Sequence, residues 1–102
     1  MTKIVYKKHK NVFKFIKISG HSGFDSYGND IVCAGISSIV EGCCSFFNTY
    51  YSDLVSIDKN EAFVFIKIKN CGSEEVQLCL KMMIHQLRNI QFFYPQNLSF
   101  EN

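Results

Sequence analysis

DIVCAGISSIVEGCCSFFNTYY, residues 30–51, decides how the rest of the chain is read. Val32, Ile36, Ile39, Cys43, Phe47 and Tyr50 recur at spacings of three and four, the period of one helix face. Asp30, a good capping residue, stands where that period starts. The stretch therefore predicts a helix running to about Tyr51, and the segments on either side read as hairpins around it. Upstream, TKIVYK and VFKFIKIS flank a polar break at Lys7 to Asn11, which predicts a hairpin over residues 2–19. The apolar positions of its second arm change face near Phe15 and Ile16, as a β-bulge makes them do. Between hairpin and helix, SGFDSYGN, residues 22–29, has two glycines and no periodicity, the mark of a loop.

Downstream, Leu54 to Ile57 and Ala62 to Ile68 flank Asp58, Lys59 and Asn60 and predict a second hairpin. Ser73, Glu74 and Glu75 suit a helix start, and Val76, Leu80, Met83, Leu87 and Ile90 continue it to about Ile90. Tyr94-Pro95 breaks the helical run, leaving Leu98 and Phe100 in a short strand that the proline directs to a sheet edge. The order is ββαββαβ. Two amphipathic helices and five strands form a two-layer α+β domain, with a mainly antiparallel sheet and both helices on one face. The 102 residues suffice for one such domain, 1–102, and the strand order stays open.

Composition narrows the function classes. An apolar share of 47% supports a packed core, and 11 basic against 9 acidic residues give a net charge of +2, far from the excess of a dedicated nucleic-acid binder. The six lysines at 3, 7, 8, 10, 14 and 17 make the first hairpin basic. Without stacking aromatics on the same face they read as a solvated strand surface, so direct nucleic-acid binding is not expected. The N-terminal segment carries lysines where a signal peptide needs apolar residues, and no run of 18 apolar residues occurs, so the expectation is a cytoplasmic protein with no membrane partner. Five cysteines, at 33, 43, 44, 71 and 79, include no CxxC pair and no histidine at zinc-ligand spacing. Reduced thiols without a metal or cofactor are expected. Cys43 and Cys44 read as helix packing, and His9 and His85 as surface residues.

The chemistry worth weighing joins His21 to Cys33. Only a thiolate is a good nucleophile, and with Asp30 as cap Cys33 falls in the first helical turn, where free backbone N–H groups and the helix dipole favour a negative sulfur. An imidazole within reach would hold that thiolate and later protonate a leaving amine. Helix-start amides, that of Cys33 among them, would receive an oxyanion. Asp30 suits capping or orienting the histidine, and Ser37, one turn on, reaches the neighbourhood of the sulfur. By spacing alone, a small buried thiol and a solvated loop imidazole are the more ordinary reading of the two residues.

Gly20, His21, Gly23, Gly28, Asp30, Ile31, Val32, Cys33, Ala34, Ile36 and Ser37 closely resemble a signature of roughly GHxGxxxxGxDIVCAAxS, that of the bacterial ribosomal-processing cysteine protease family Prp. The likeness extends to two strands before the motif and a Tyr-Pro near the end. The resemblance implies a cysteine endopeptidase that removes the short N-terminal extension of large-subunit ribosomal protein twenty-seven, and a homodimer. His21 matches the family's histidine and Cys33 its nucleophile, while Gly20, Asp30, Ala34 and Ser37 match supporting positions. Ser22 stands where alanine is common, and Gly35 replaces a second alanine. On this reading residues 22–29 form a lid hinged at Gly23 and Gly28, with Phe24 and Tyr27 facing substrate or packing the loop. Ile90-Gln91-Phe92-Phe93 resembles the segment this family cuts, a coincidence that a Phe-rich chain readily produces. A non-catalytic ribosome-assembly or RNA/protein-binding module is the competing class.

Overall fold

Thr2–His9 (β1) and Val12–Ser19 (β2) form the first hairpin of a computed structural model that describes residues 1–26 and 28–101. Lys10 and Asn11 turn it with φ of 51° and 67°, the left-handed backbone of a tight hairpin turn. Lys7 pairs with Phe15 and Lys8 with Phe13, so the register slips there and Lys14 is bypassed. That bulge puts Phe13 and Ile16, three residues apart, on the same buried face.

Ile31–Tyr50 (α1) follows, then Val55–Lys59 (β3), Phe63–Ile68 (β4), Glu74–Phe93 (α2) and Leu98–Glu101 (β5). The sheet order is β3-β4-β2-β1-β5, antiparallel except where β5 runs parallel to β1 at one edge. The fold is thus the expected two-layer α+β arrangement in ββαββαβ order. Val32, Ile36, Val40, Cys44 and Phe47 of α1 and Val76, Leu80, Met83, Ile84 and Leu87 of α2 pack on Ile4, Ile16, Ile18, Ile66 and Leu98 of the sheet in one apolar core. Helix α1 has the length and apolarity of a membrane-crossing segment, and this buried row accounts for much of that apolarity.

Four expectations shift. Tyr50 leaves the α1 stripe, 69% exposed, while Val40 and Cys44 join it. The second hairpin turns at residues 60–62, because the Asn60 side chain accepts from the amides of Ala62 and Phe63 at 2.7 and 3.0 Å. Helix α2 continues past Ile90 to Phe93, and the Tyr94 amide closes it on the Ile90 carbonyl at 2.8 Å, just before Pro95 disfavours helical backbone.

The fourth concerns the lysines. Strand alternation sends Lys3 and Lys7 of β1 and Lys17 of β2 to the face away from the helices, and the pairing of Lys17 with Phe65 and of Phe15 with Lys67 puts those residues there too. Aromatics are therefore interleaved with lysines, because the cross-strand register, and not the order along one strand, sets the neighbours.

Candidate active site

Strand β2 ends at Ser19, and Gly20 turns the chain toward the start of α1 with φ of +83°. A side chain at Gly20 would begin 2.6 Å from the Met1 carbonyl oxygen, so both backbone angle and space demand glycine. His21 emerges exposed. Ser22 is buried, with 1% of its surface exposed, and its hydroxyl donates to Oδ2 of Asp30. The same oxygen accepts the Phe24 amide at 3.1 Å, and Oδ1 accepts the Cys33 amide at 2.8 Å as the α1 cap. From the far edge of the fold, the Asn97 side-chain amide donates to the Ser22 carbonyl at 3.0 Å.

One carboxylate thereby ties both flanks of the loop together. Partial desolvation pushes the Asp30 carboxyl up, and hydrogen bonds from Ser22 and the backbone of Cys33, Asp25 and Phe24 outweigh it, holding the group below the usual carboxylate value. The result is a short path between the two side chains: His21 Nδ1 lies 4.0 Å from Cys33 Sγ. Cys33 is half-buried at the third position of α1. By contrast, burial together with the neighbouring Cys44 and Cys79 pushes the Cys43 thiol up to about 12, and burial beside Glu41 pushes Cys44 to about 11. Those two thiols stay protonated and pack the helices.

Cap geometry changes one expectation. The Cys33 amide is occupied by Asp30, and the Ala34 amide by the Asp30 carbonyl at 3.0 Å. The two amides of the first turn that helix geometry leaves for an oxyanion are those of Ile31 and Val32.

A cavity of about 550 Å³ opens beside the pair, lined by His21, Gly23, Asp25, Gly28, Asp30, Cys33, Ala34 and Ser37. A second groove, about 240 Å³, meets it at His21, Cys33 and Ser37 and runs between α1 and the start of β4. Gly23 and Gly28 take φ of +73° and +89° in the loop. Phe24 sits outside the larger cavity, its ring edge-on to Tyr94 at 5.3 Å and 44% exposed. Tyr27, the other expected lid aromatic, lies outside the described residues. The arrangement sets a thiol and an imidazole 4.0 Å apart where the two grooves meet. Asn97 had no signal in the sequence, being 75 residues from its partner. Ser22 had one, its departure from the motif's usual alanine.

Residues 1–99 match the family model described as Cysteine protease Prp. Among curated proteins, the Ribosomal processing cysteine protease Prp of Mycoplasma pneumoniae is 31% identical over 102 residues, covering 100% of this chain and 95% of the relative. Its counterpart from Staphylococcus aureus is 30% identical over 83 residues, covering 79% of this chain and 78% of the relative. Among solved structures, the essential ribosomal processing protease Prp from S. aureus in complex with a covalently linked product peptide shares the fold with a TM-score of 0.92 at 24% identity, covering 99% of this chain and 98% of that one. The same protease in complex with a substrate peptide gives 0.85 at 23% identity and the same coverage.

Proposed function

This chain belongs to the cysteine protease Prp family, and from that premise we propose that it cleaves the short N-terminal extension from large-subunit ribosomal protein twenty-seven, with Cys33 as nucleophile and His21 as its base and acid. The observation that carries the assignment of roles is the 4.0 Å approach of His21 Nδ1 to Cys33 Sγ at the head of α1. Catalytic contacts of this kind tighten when substrate binds.

His21 takes the Cys33 proton, and the sulfur bonds to the scissile carbonyl carbon. The oxyanion that forms is held by the amides of Ile31 and Val32. The tetrahedral centre collapses, the C–N bond breaks, and His21 returns the proton to the leaving amine. Water, deprotonated by His21, then attacks the thioester, releasing a carboxylic acid and restoring the thiol. Asp30 does not transfer protons in this scheme; with Ser22 and Asn97 it positions the loop that carries His21. Ser37 lines both grooves at their junction and is placed to bond the peptide. Phe24 buttresses the loop through Tyr94, with Gly23 and Gly28 allowing it to open and close.

Residues 1–102 act as one peptidase domain in the cytoplasm, without metal or cofactor. The family resemblance supports a homodimer, and the groove between α1 and α2, with Phe46, Leu78 and Met82 exposed, supplies an apolar surface for it.

The test is incubation of the purified protein with the extended ribosomal precursor. Cys33→Ala abolishes cleavage, and His21→Ala lowers kcat by about 10²- to 10⁴-fold. Cleavage that survives in Cys33→Ala overturns the mechanism, and an intact precursor beside a cleaved unrelated peptide overturns the substrate.

A further inference from the structure

Both helices pack on one face of the sheet and leave the other bare, and that face has an unusual make-up. On the three central strands, cross-strand partners fall into rows: Lys67, Phe15 and Lys7 in one, and Phe65, Lys17 and Val5 in the next. Phe63, opposite Ser19, and Lys3 begin a third. Phe15 and Phe65 stack at 5.5 Å between ring centres with 22° between planes, and the Lys17 ammonium sits 5.0 Å over the Phe63 ring. Four lysines thus surround three phenylalanines, while the acidic residues of this face, Asp58 and Glu101, lie on the two edge strands.

We propose that this face binds single-stranded RNA, with the phenylalanines stacking on bases and Lys3, Lys7, Lys17 and Lys67 neutralising phosphates. Charge complementarity calls for a polyanion. Rings set among those charges call for one with accessible π-faces, which single strands offer and duplexes do not. A second copy would oppose lysine to lysine. An anionic membrane would call for protruding apolar side chains, and the face has none: its rings are half-buried, whereas the exposed Leu78, Met82, Phe92 and Phe93 belong to α2. The function is separate from peptide cleavage, although the Phe63 end abuts the site, since Ser19 opposite it stands two residues before His21.

The experiment is fluorescence anisotropy with a labelled single-stranded RNA of about ten nucleotides, between about 50 and 200 mM salt. Binding is expected to weaken as salt rises. Phe65→Leu, which keeps an apolar side chain and removes the ring, weakens binding about tenfold. Changing the exposed pair Lys7→Gln and Lys67→Gln lowers the slope of log affinity against log salt by about 1.4, near 0.7 for each phosphate no longer neutralised. Peptide cleavage stays within about twofold in both variants. Absence of RNA binding at the lower salt overturns the proposal. So does equal affinity for duplex RNA, or an affinity unmoved by Phe65→Leu in a protein whose circular dichroism is unchanged. Tighter binding to phosphatidylglycerol vesicles than to RNA, or a loss of dimer in sedimentation of Phe65→Leu, would reassign the face to lipid or to a second copy.

Discussion

At the start of α1 the Asp30 side chain accepts the amide of Cys33, three residues on; at the start of α2 the Ser73 hydroxyl accepts the amide of Val76, also three residues on. The caps are alike in geometry, and their surroundings differ. Val76 is fully buried, and Glu74 and Glu75 set negative charge against the positive end of α2, with Glu75 also accepting the Tyr51 hydroxyl. The first turn of α1 has no acidic residue, Cys33 is half-buried, and the cap's second oxygen serves the loop instead. The α2 start meets its dipole with Glu74 and Glu75, whereas the α1 start meets it with the Asp30 cap alone, and on the proposed mechanism its remaining amides stay open for a developing anion.

The sharpest way to break that contrast is to remove both caps in turn. Asp30→Ala frees the loop carrying His21 as well as the helix end, and lowers kcat at least about tenfold by the logic of misplaced catalytic groups, with KM moving less. Ser73→Ala leaves cleavage unchanged and lowers unfolding free energy by about 1 kcal/mol, read by chemical denaturation. Equal losses of activity in the two variants would mean that α1 is capped for stability alone.

Acid gives the next largest effect. Because the folded protein holds the Asp30 carboxyl below the usual 3.8, its stabilising contribution is complete above that value and is lost as pH falls through the lowered one. Hydrogen exchange at the Cys33 amide therefore gains protection relative to Val76 above that range and loses it below, while the Ser73 cap does not titrate. In Asp30→Asn the difference between the two amides no longer follows pH.

The smallest effect belongs to Ser22→Ala. It restores the alanine common in the family motif, keeps the Phe24 and Cys33 bonds to Asp30, and removes one buried hydroxyl donor. Stability falls by about 1 kcal/mol and kcat by a few-fold, measured on the same precursor. An increase in kcat would show that the Ser22 bond holds the loop too tightly for turnover.

Much of the site was legible because its determinants are local. A cap and its third amide, a helical period and a glycine-bearing loop are all written within a few residues of one another, so Asp30, Cys33 and the loop from Ser22 to Asn29 could be placed without a fold. Element ends were less legible. Phe92 and Phe93 extended α2 without belonging to its buried stripe, and Asn60 moved a turn through a side-chain bond that periodicity does not register.

The sequence by itself determined the order of elements, the start of α1, the placing of Cys33 in its first turn and the membership in a peptidase family. Only the tertiary structure decided that β5 runs beside β1, which brings Asn97 to Ser22, that His21 and Cys33 approach to 4.0 Å, and that Phe15, Phe63 and Phe65 share a face with four lysines. The reason is physical: capping and periodicity act over one or two turns of chain, whereas strand order and register are set by which distant apolar faces bury each other, and a shift of one residue sends each side chain to the opposite face.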